Sequence, residues 1–180
     1  MNNILLISEA YIKANSGLDD NVFGKFLLPA IREAQDINLQ SIIGSTLMDK
    51  ICDLVKSGDI TNDENWDYKY LLDKHIQPYL LYVTIANIIP LIASKITNMG
   101  AVISNDEHIE NLSKNDKDSL KDYYTLRSDH YARLMQKYLC KNSIIYPELK
   151  ECDCENMKAN LKSAATCPIW LGGNRGKKVN

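Results

Sequence analysis

Residues Leu27 to Lys56 read LLPAIREAQDINLQSIIGSTLMDKICDLVK, and their spacing decides the fold class. Leu27, Ile31, Ala34 and Ile37 recur at steps of three and four, and so do Leu47, Ile51, Leu54 and Val55. That period places each set on one face of an α-helix, so two amphipathic helices are predicted. Leu39, Ile42 and Ile43 carry the first apolar face up to a corner at Gly44, where Ser45 is the expected N-cap of the second helix. Gly58 is its expected stop. Pro29 lies within the first pattern and either kinks that helix or marks a fresh start. No residue in the stretch is a recognisable catalyst.

Upstream, Ser8 is placed to cap a short helix, with Ile7 and Ile12 at the flanking staple positions. Ser16-Gly17 ends that helix. Asp19-Asp20-Asn21 then puts negative charge where the next one starts, ahead of Phe23 and Phe26 on its stripe. Downstream, Thr61 and Glu64 have the spacing of a capping box, and a helix follows through Trp66, Tyr70 and Leu71 towards Pro78.

Ile76 to Ser94 is apolar and close to membrane-spanning length. It nevertheless holds Gln77, Pro78, Thr84, Asn87 and Pro90 between His75 and Lys95. An all-round apolar helix of this kind is expected at the centre of a bundle, bent or broken near Pro90, with no membrane involved. Asn98 to Asp106 breaks the helical period, and Ala101 to Ser104 reads as a short strand or hairpin in a loop.

Ser113 and Asp116 then open a long helix to about Cys140, with Leu120, Tyr124, Arg127, Tyr131, Leu134 and Tyr138 as its stripe. Past Tyr146-Pro147 the pattern weakens. Met157 to Ala165 has room for one short helix, and Leu171 to Asn180 reads as an extended tail. The expected architecture is therefore all-α: a helical bundle over residues 1–146 with a short β-hairpin or strand in a mid-chain loop, and an extended C-terminal tail over residues 147–180.

A chain of 180 residues, 45% hydrophobic, suits one core. A net charge of −2 makes no electrostatic case for wrapping nucleic acid. Only the basic tip, Arg175, Lys177 and Lys178, is a candidate DNA contact, against an acidic middle at Asp106, Glu107 and Glu110. The start, MNNILLISEAYIK, has no basic leader and too short an apolar run for a signal peptide, so the five cysteines are expected as reduced thiols.

Chemistry-bearing clusters are few. Cys152 and Cys154, with Cys167 further on, form one tight pair and a lone third ligand, whereas structural zinc usually takes four. His130 or Cys140 would have to complete such a site through tertiary folding. A Cys152–Cys154 disulfide would be strained. Asp129-His130 and Asp73 near His75 have the look of an acid orienting a base, but no nucleophile accompanies them. Gly172 to Lys177 lacks the spacing of a phosphate-binding loop. Asp63-Glu64 reads as a helix start. The expectation is no catalytic residue, no metal and no cofactor. Ile169, Trp170 and Leu171 are large apolar residues in an otherwise polar tail: either they anchor it on a partner, or Trp170 folds back on its own bundle.

Four stretches in order are similar to the head–tail connector (adaptor, or head-completion) proteins of tailed phages, especially those of crAss-like phages. They are FLLPAIREAQD (Phe26 to Asp36), LQSIIGSTL (Leu39 to Leu47), Ile76-Gln77-Pro78-Tyr79-Leu80, and Ile96 to Val102 around Asn98-Met99-Gly100. The region from Asp116 to Tyr138 agrees only as a long helix, and the tail beyond Tyr146 matches no pattern. The resemblance implies a non-enzymatic virion protein made in the host bacterial cytoplasm. Its subunits would close a ring, typically twelvefold, on the portal protein at the head–tail interface. That ring would extend the DNA channel and form a platform for further connector or tail ring proteins. A ring needs head-to-tail contacts between two different faces. The alternative is a small binding or regulatory protein with a cysteine-based zinc module.

Overall fold

A computed structural model describes residues 4–16, 24–97, 100–103, 114–149 and 159, and these are mostly helical. The order is α1 (Glu9–Asn15), α2 (Gly24–Glu33), a π-helical segment (Ala34–Leu39), α3 (Gln40–Ile43), α4 (Ser45–Ser57), α5 (Trp66–Leu71), a second π-helical segment (Leu72–Ile76), α6 (Gln77–Ala93) and α7 (Lys114–Lys141). Between α6 and α7 the backbone forms strands β1 (Ser94–Thr97) and β2 (Gly100–Ile103). They pair antiparallel, with Lys95 opposite Val102. The expected start at Asp19 to Asn21, Phe23, the Asn98-Met99 turn, Ser113 and the short helix at Met157 to Ala165 lie outside the described residues.

Ser8 caps α1, its Oγ accepting from the Tyr11 amide at 3.1 Å, and Ile7 and Ile12 are both buried beside it. The helical run through α2 is unbroken from Gly24 to Ile43, so Pro29 sits inside a helix that has already begun. Leu27, Ile31 and Ala34 are buried as the period predicts, but Ile37 is 63% exposed. The cause is the π segment. Its wider turns, such as the bond from the Gln40 amide to the Gln35 carbonyl, insert a residue into the 3.6 repeat. The buried line therefore moves on to Leu39, while Gln35, four residues after Ile31, stays on the buried face.

Gly44 adopts φ 81°, ψ 163°, a conformation open to glycine and costly for other residues. It is the N-cap of α4, and Ser45 is already the first helical residue. The Ser45 hydroxyl accepts from Gln40 Nε2 at 3.0 Å instead of capping. Gly58 ends α4 at φ 84°, donating its amide to the Val55 carbonyl at 3.3 Å. A Cβ there would meet nothing within 4 Å, so the need for glycine is conformational. The expected capping box does not form: Thr61 Oγ1 donates to the Gly58 carbonyl at 3.0 Å, and two short 3-10 turns, Asp59–Thr61 and Asp63–Asn65, lead into α5.

From Trp66 to Ala93 the chain is again one helical run. Pro78 is the second residue of α6, two past the end of the second π segment. Proline has no amide to give and its ring crowds the preceding turn, which the wider turn relieves. Pro90 does not break α6, which continues to Ala93. Leu80, Thr84, Ile85 and Ile88 are buried around α6, with α2 on one side and α7 on the other. No helix among the described residues is long and apolar enough to cross a membrane.

The buried line of α7 is Ser128, Met135 and Leu139, flanked by Tyr124, Tyr131 and Tyr138. The stripe read from the sequence is thus displaced: Leu120 and Leu134 on it are exposed. Packing continues past residue 146, because Tyr146 is fully buried and the 3-10 turn Pro147–Leu149 lies on α4.

Candidate interaction surface

Polar side chains hold the elements in place. Gln35, on the buried face four residues after Ile31, donates from Nε2 to the Ile4 carbonyl at 2.8 Å and accepts at Oε1 from the Leu6 amide at 3.0 Å. Gln77 donates to the Leu6 carbonyl at 3.3 Å, so two helices clamp the backbone ahead of α1. At the other end, Tyr146 donates to the Asp67 carbonyl at 3.0 Å and its hydroxyl shares a 3.1 Å hydrogen bond with that of Tyr138. Tyr68 donates to Glu148 Oε1 at 2.8 Å. Burial first, then this bond to Glu148, pushes the Tyr68 phenol well above the ordinary tyrosine range. Burial likewise raises Tyr146 and Tyr79, so these phenols are neutral, and those of Tyr68 and Tyr146 donate the hydrogen bonds that tie this end together.

The histidine beside Asp73 is not an acid–base pair. His75 stacks on Tyr138 at 4.4 Å between centroids and meets Tyr70 edge-on at 5.9 Å, while Asp73 is ion-paired to Lys69 at 2.8 Å. Burial lowers the His75 pKa, which keeps the ring neutral. Cys52 is buried, and its thiol is pushed up to about 11 by burial and then by Asp49, Asp53 and Asp36. Such a thiol is unreactive. Among the described residues no group of three His, Cys, Asp or Glu side chains is placed to hold a metal ion. Cys152, Cys154, Cys167, the tail anchor Ile169, Trp170 and Leu171, and the basic tip Arg175, Lys177 and Lys178 all lie outside the described residues.

The informative surface is apolar. On α7, Leu120, Tyr123, Leu126 and Leu134 are exposed, Leu126 to 70%. At about 100° per residue they occupy one arc of α7, beside the buried line and joined to it by Tyr124, Tyr131 and Tyr138. The apolar side chains of α7 therefore extend beyond the face that α6 covers, onto an arc they share with Arg127, His130 and Lys137. At the end of α7 the turn after Lys141 exposes Ile144 to 87% and Ile145 to 41%. Trp66 stands apart on α5, 59% exposed, stacked on Tyr70 at 5.2 Å.

Beside Tyr123 there is an open cleft of about 170 Å³ between α1, α6 and α7, lined by Asn15, Tyr82, Ile85, Tyr124 and Arg127. The Arg127 guanidinium lies 3.4 Å from the centroid of the Tyr123 ring, in cation–π contact. The sequence reading missed this cleft. Its only signal was Tyr123-Tyr124 with Arg127 one turn on, and nothing local showed that α1 would border it.

The family described as "Family of unknown function (DUF6712)" matches residues 39–158, two thirds of the chain. The chain belongs to the DUF6712 family. The match begins at the end of the first π segment and takes in α3 to α7, and so includes Trp66 and the whole exposed arc of α7. No curated protein and no solved structure matches.

Proposed function

We propose that this DUF6712 protein is a structural, non-enzymatic subunit of a phage head–tail connector. In this reading it forms a ring on the portal protein, extends the DNA channel and offers a platform for later connector or tail ring proteins. The observation that carries the reading is the apolar arc of α7 at Leu120, Tyr123, Leu126 and Leu134, together with the separate exposed Trp66. A ring subunit must present two different faces, and the grouped side chains of α7 supply one candidate and Trp66 the other. The resemblance at Phe26 to Asp36, Leu39 to Leu47, Ile76 to Leu80 and Ile96 to Val102 supplies the setting.

The finer parts of the reading concern the arms. The hairpin between α6 and α7 and the tail, past its packed start at Pro147–Leu149, reach neighbouring subunits or the portal, Ile169, Trp170 and Leu171 anchor the tail, and Arg175, Lys177 and Lys178 face packaged DNA. The protein is made in the host cytoplasm and resides in the virion at the head–tail interface. Negative-stain electron microscopy of the purified protein, alone and with its cognate portal, tests the reading. A ring, or an added layer on the portal, is the expected result. Compact monomers that leave the portal bare would overturn it. Trp170→Ala should weaken docking on the portal, and unchanged assembly would remove the anchor.

A further inference from the structure

A closed ring requires each subunit to present two complementary faces, and this chain carries a knob and a cleft of matching chemistry. Trp66 is the knob. It is 59% exposed and lies at the end of a segment, Asp59 to Asp67, with four acidic side chains (Asp59, Asp63, Glu64 and Asp67) and no basic one. The cleft beside Tyr123 has the opposite character, with the rings of Tyr82, Tyr123 and Tyr124 and the cation of Arg127.

Size and chemistry agree. A cavity of roughly 150 Å³ accommodates a benzene ring. At about 170 Å³ the cleft admits one aromatic ring, with the rest of an indole against the rim. A guanidinium already stacked on one ring has a second face for another, and tryptophan is the best partner for it. The acidic flank of Trp66 then meets the one charged group among the described residues of the cleft, the Arg127 guanidinium, beside the neutral Asn15 and Ser16.

Knob and cleft of one subunit cannot meet. Trp66 stacks on Tyr70, and Tyr70 packs on Tyr138 at 5.6 Å between centroids. Tyr138 is displaced from Arg127 and Tyr123 by roughly 17–22 Å along α7, at the helical rise of about 1.5 Å per residue. The partner for each is therefore another molecule, and the contact is head-to-tail, the kind that closes into rings.

The geometry points to a junction in which Trp66 of one subunit inserts into the Tyr82–Tyr123–Arg127 cleft of a second copy of this chain, with its acidic flank against that copy's Arg127. The junction rests on the ring reading above for its setting, yet it is testable apart from it. Sedimentation of the full chain up to millimolar concentration should show self-association. Trp66→Ala and Arg127→Glu should each weaken it by roughly thirtyfold or more, as expected for a central aromatic or arginine anchor. Circular dichroism reports whether each variant is folded, and Tyr123→Ala, at an exposed side chain of the same cleft, replaces Arg127→Glu in every sample if that variant is not.

The discriminating sample is the mixture. Trp66→Ala keeps its cleft and Arg127→Glu keeps its knob, so together they should form 1:1 heterodimers and nothing larger. A wild type that stays monomeric, variants that associate like wild type, or a mixture that stays monomeric would each overturn the junction. Microscopy with the portal separates the two ideas. Rings of Trp66→Ala indistinguishable from wild type would sink the junction and leave the ring. A bare portal beside self-associating wild type would sink the ring and leave the junction.

Discussion

Replacing Gln35 with leucine should destabilise the bundle by about 2–4 kcal/mol. Gln35 is 2% exposed and serves two backbone groups, the Leu6 amide and the Ile4 carbonyl. Leucine keeps the bulk and leaves both unpaired. Each orphaned buried group costs about 1–3 kcal/mol, and the Ile4 end, only part-buried, recovers some of that from water. Peeling the first segment away would relieve the loss, but it exposes Leu6, Ile7 and Ile12 at roughly 1.5–3 kcal/mol each. The segment therefore stays docked and the cost appears in global stability. For a chain of this size the melting temperature should fall by roughly 4–16 °C. Urea unfolding followed by circular dichroism measures it, with an unchanged slope showing that the same surface is exposed. A loss below about 0.5 kcal/mol would show that the clamp is not made in solution.

Thr84 presents the opposite case. It is fully buried in α6, and its Oγ1 has no hydrogen-bond partner among the described residues. Thr84→Val, of the same shape, should raise stability by about 1 kcal/mol, and a lowered urea midpoint would contradict the orphaned hydroxyl. His75 makes stability pH-dependent. Its pKa is lowered on folding, so the unfolded chain binds the proton first, and stability should fall as pH drops below 6.5 towards the folded value. His75→Phe should remove that share of the slope, and an unaltered pH profile would argue against a buried neutral ring. Cys52, raised to about 11, should resist alkylation at pH 8 until the protein is unfolded, as read by peptide mass mapping. Metal analysis of the purified protein should find no stoichiometric zinc; near-stoichiometric zinc would favour the module at Cys152, Cys154 and Cys167.

Much of the helical layout was legible because apolar spacing, a serine cap and Gly58 are local signals. The cap at Ser8 and the stop at Gly58 fall where the residue types put them. On the first helical run one misreading has a clear physical cause: a period of 3.6 was assumed to run uninterrupted. A π turn adds a residue without altering composition, so Ile37 reads as core and is exposed, while the buried line passes to Leu39. Ser45 and Thr61 were misassigned for a related reason. Each has the right side chain for a cap, but Gly44 and the 3-10 turns set the backbone where capping would be required.

The error on α7 is of a different kind, and it bears on function. Leu120 and Leu134 were read on one stripe with Tyr124, Tyr131 and Tyr138, yet burial follows Ser128, Met135 and Leu139. Periodicity finds the apolar residues of a helix but cannot say which of two adjoining apolar arcs meets the protein's own core. On a helix with one neighbour that ambiguity does not arise, because only one arc is apolar. Here α6 covers one arc and the other faces outward, from Leu120 past Leu126 to Leu134. A sequence pattern too broad for one partner is itself the expected mark of a helix that serves two, one inside the subunit and one beyond it.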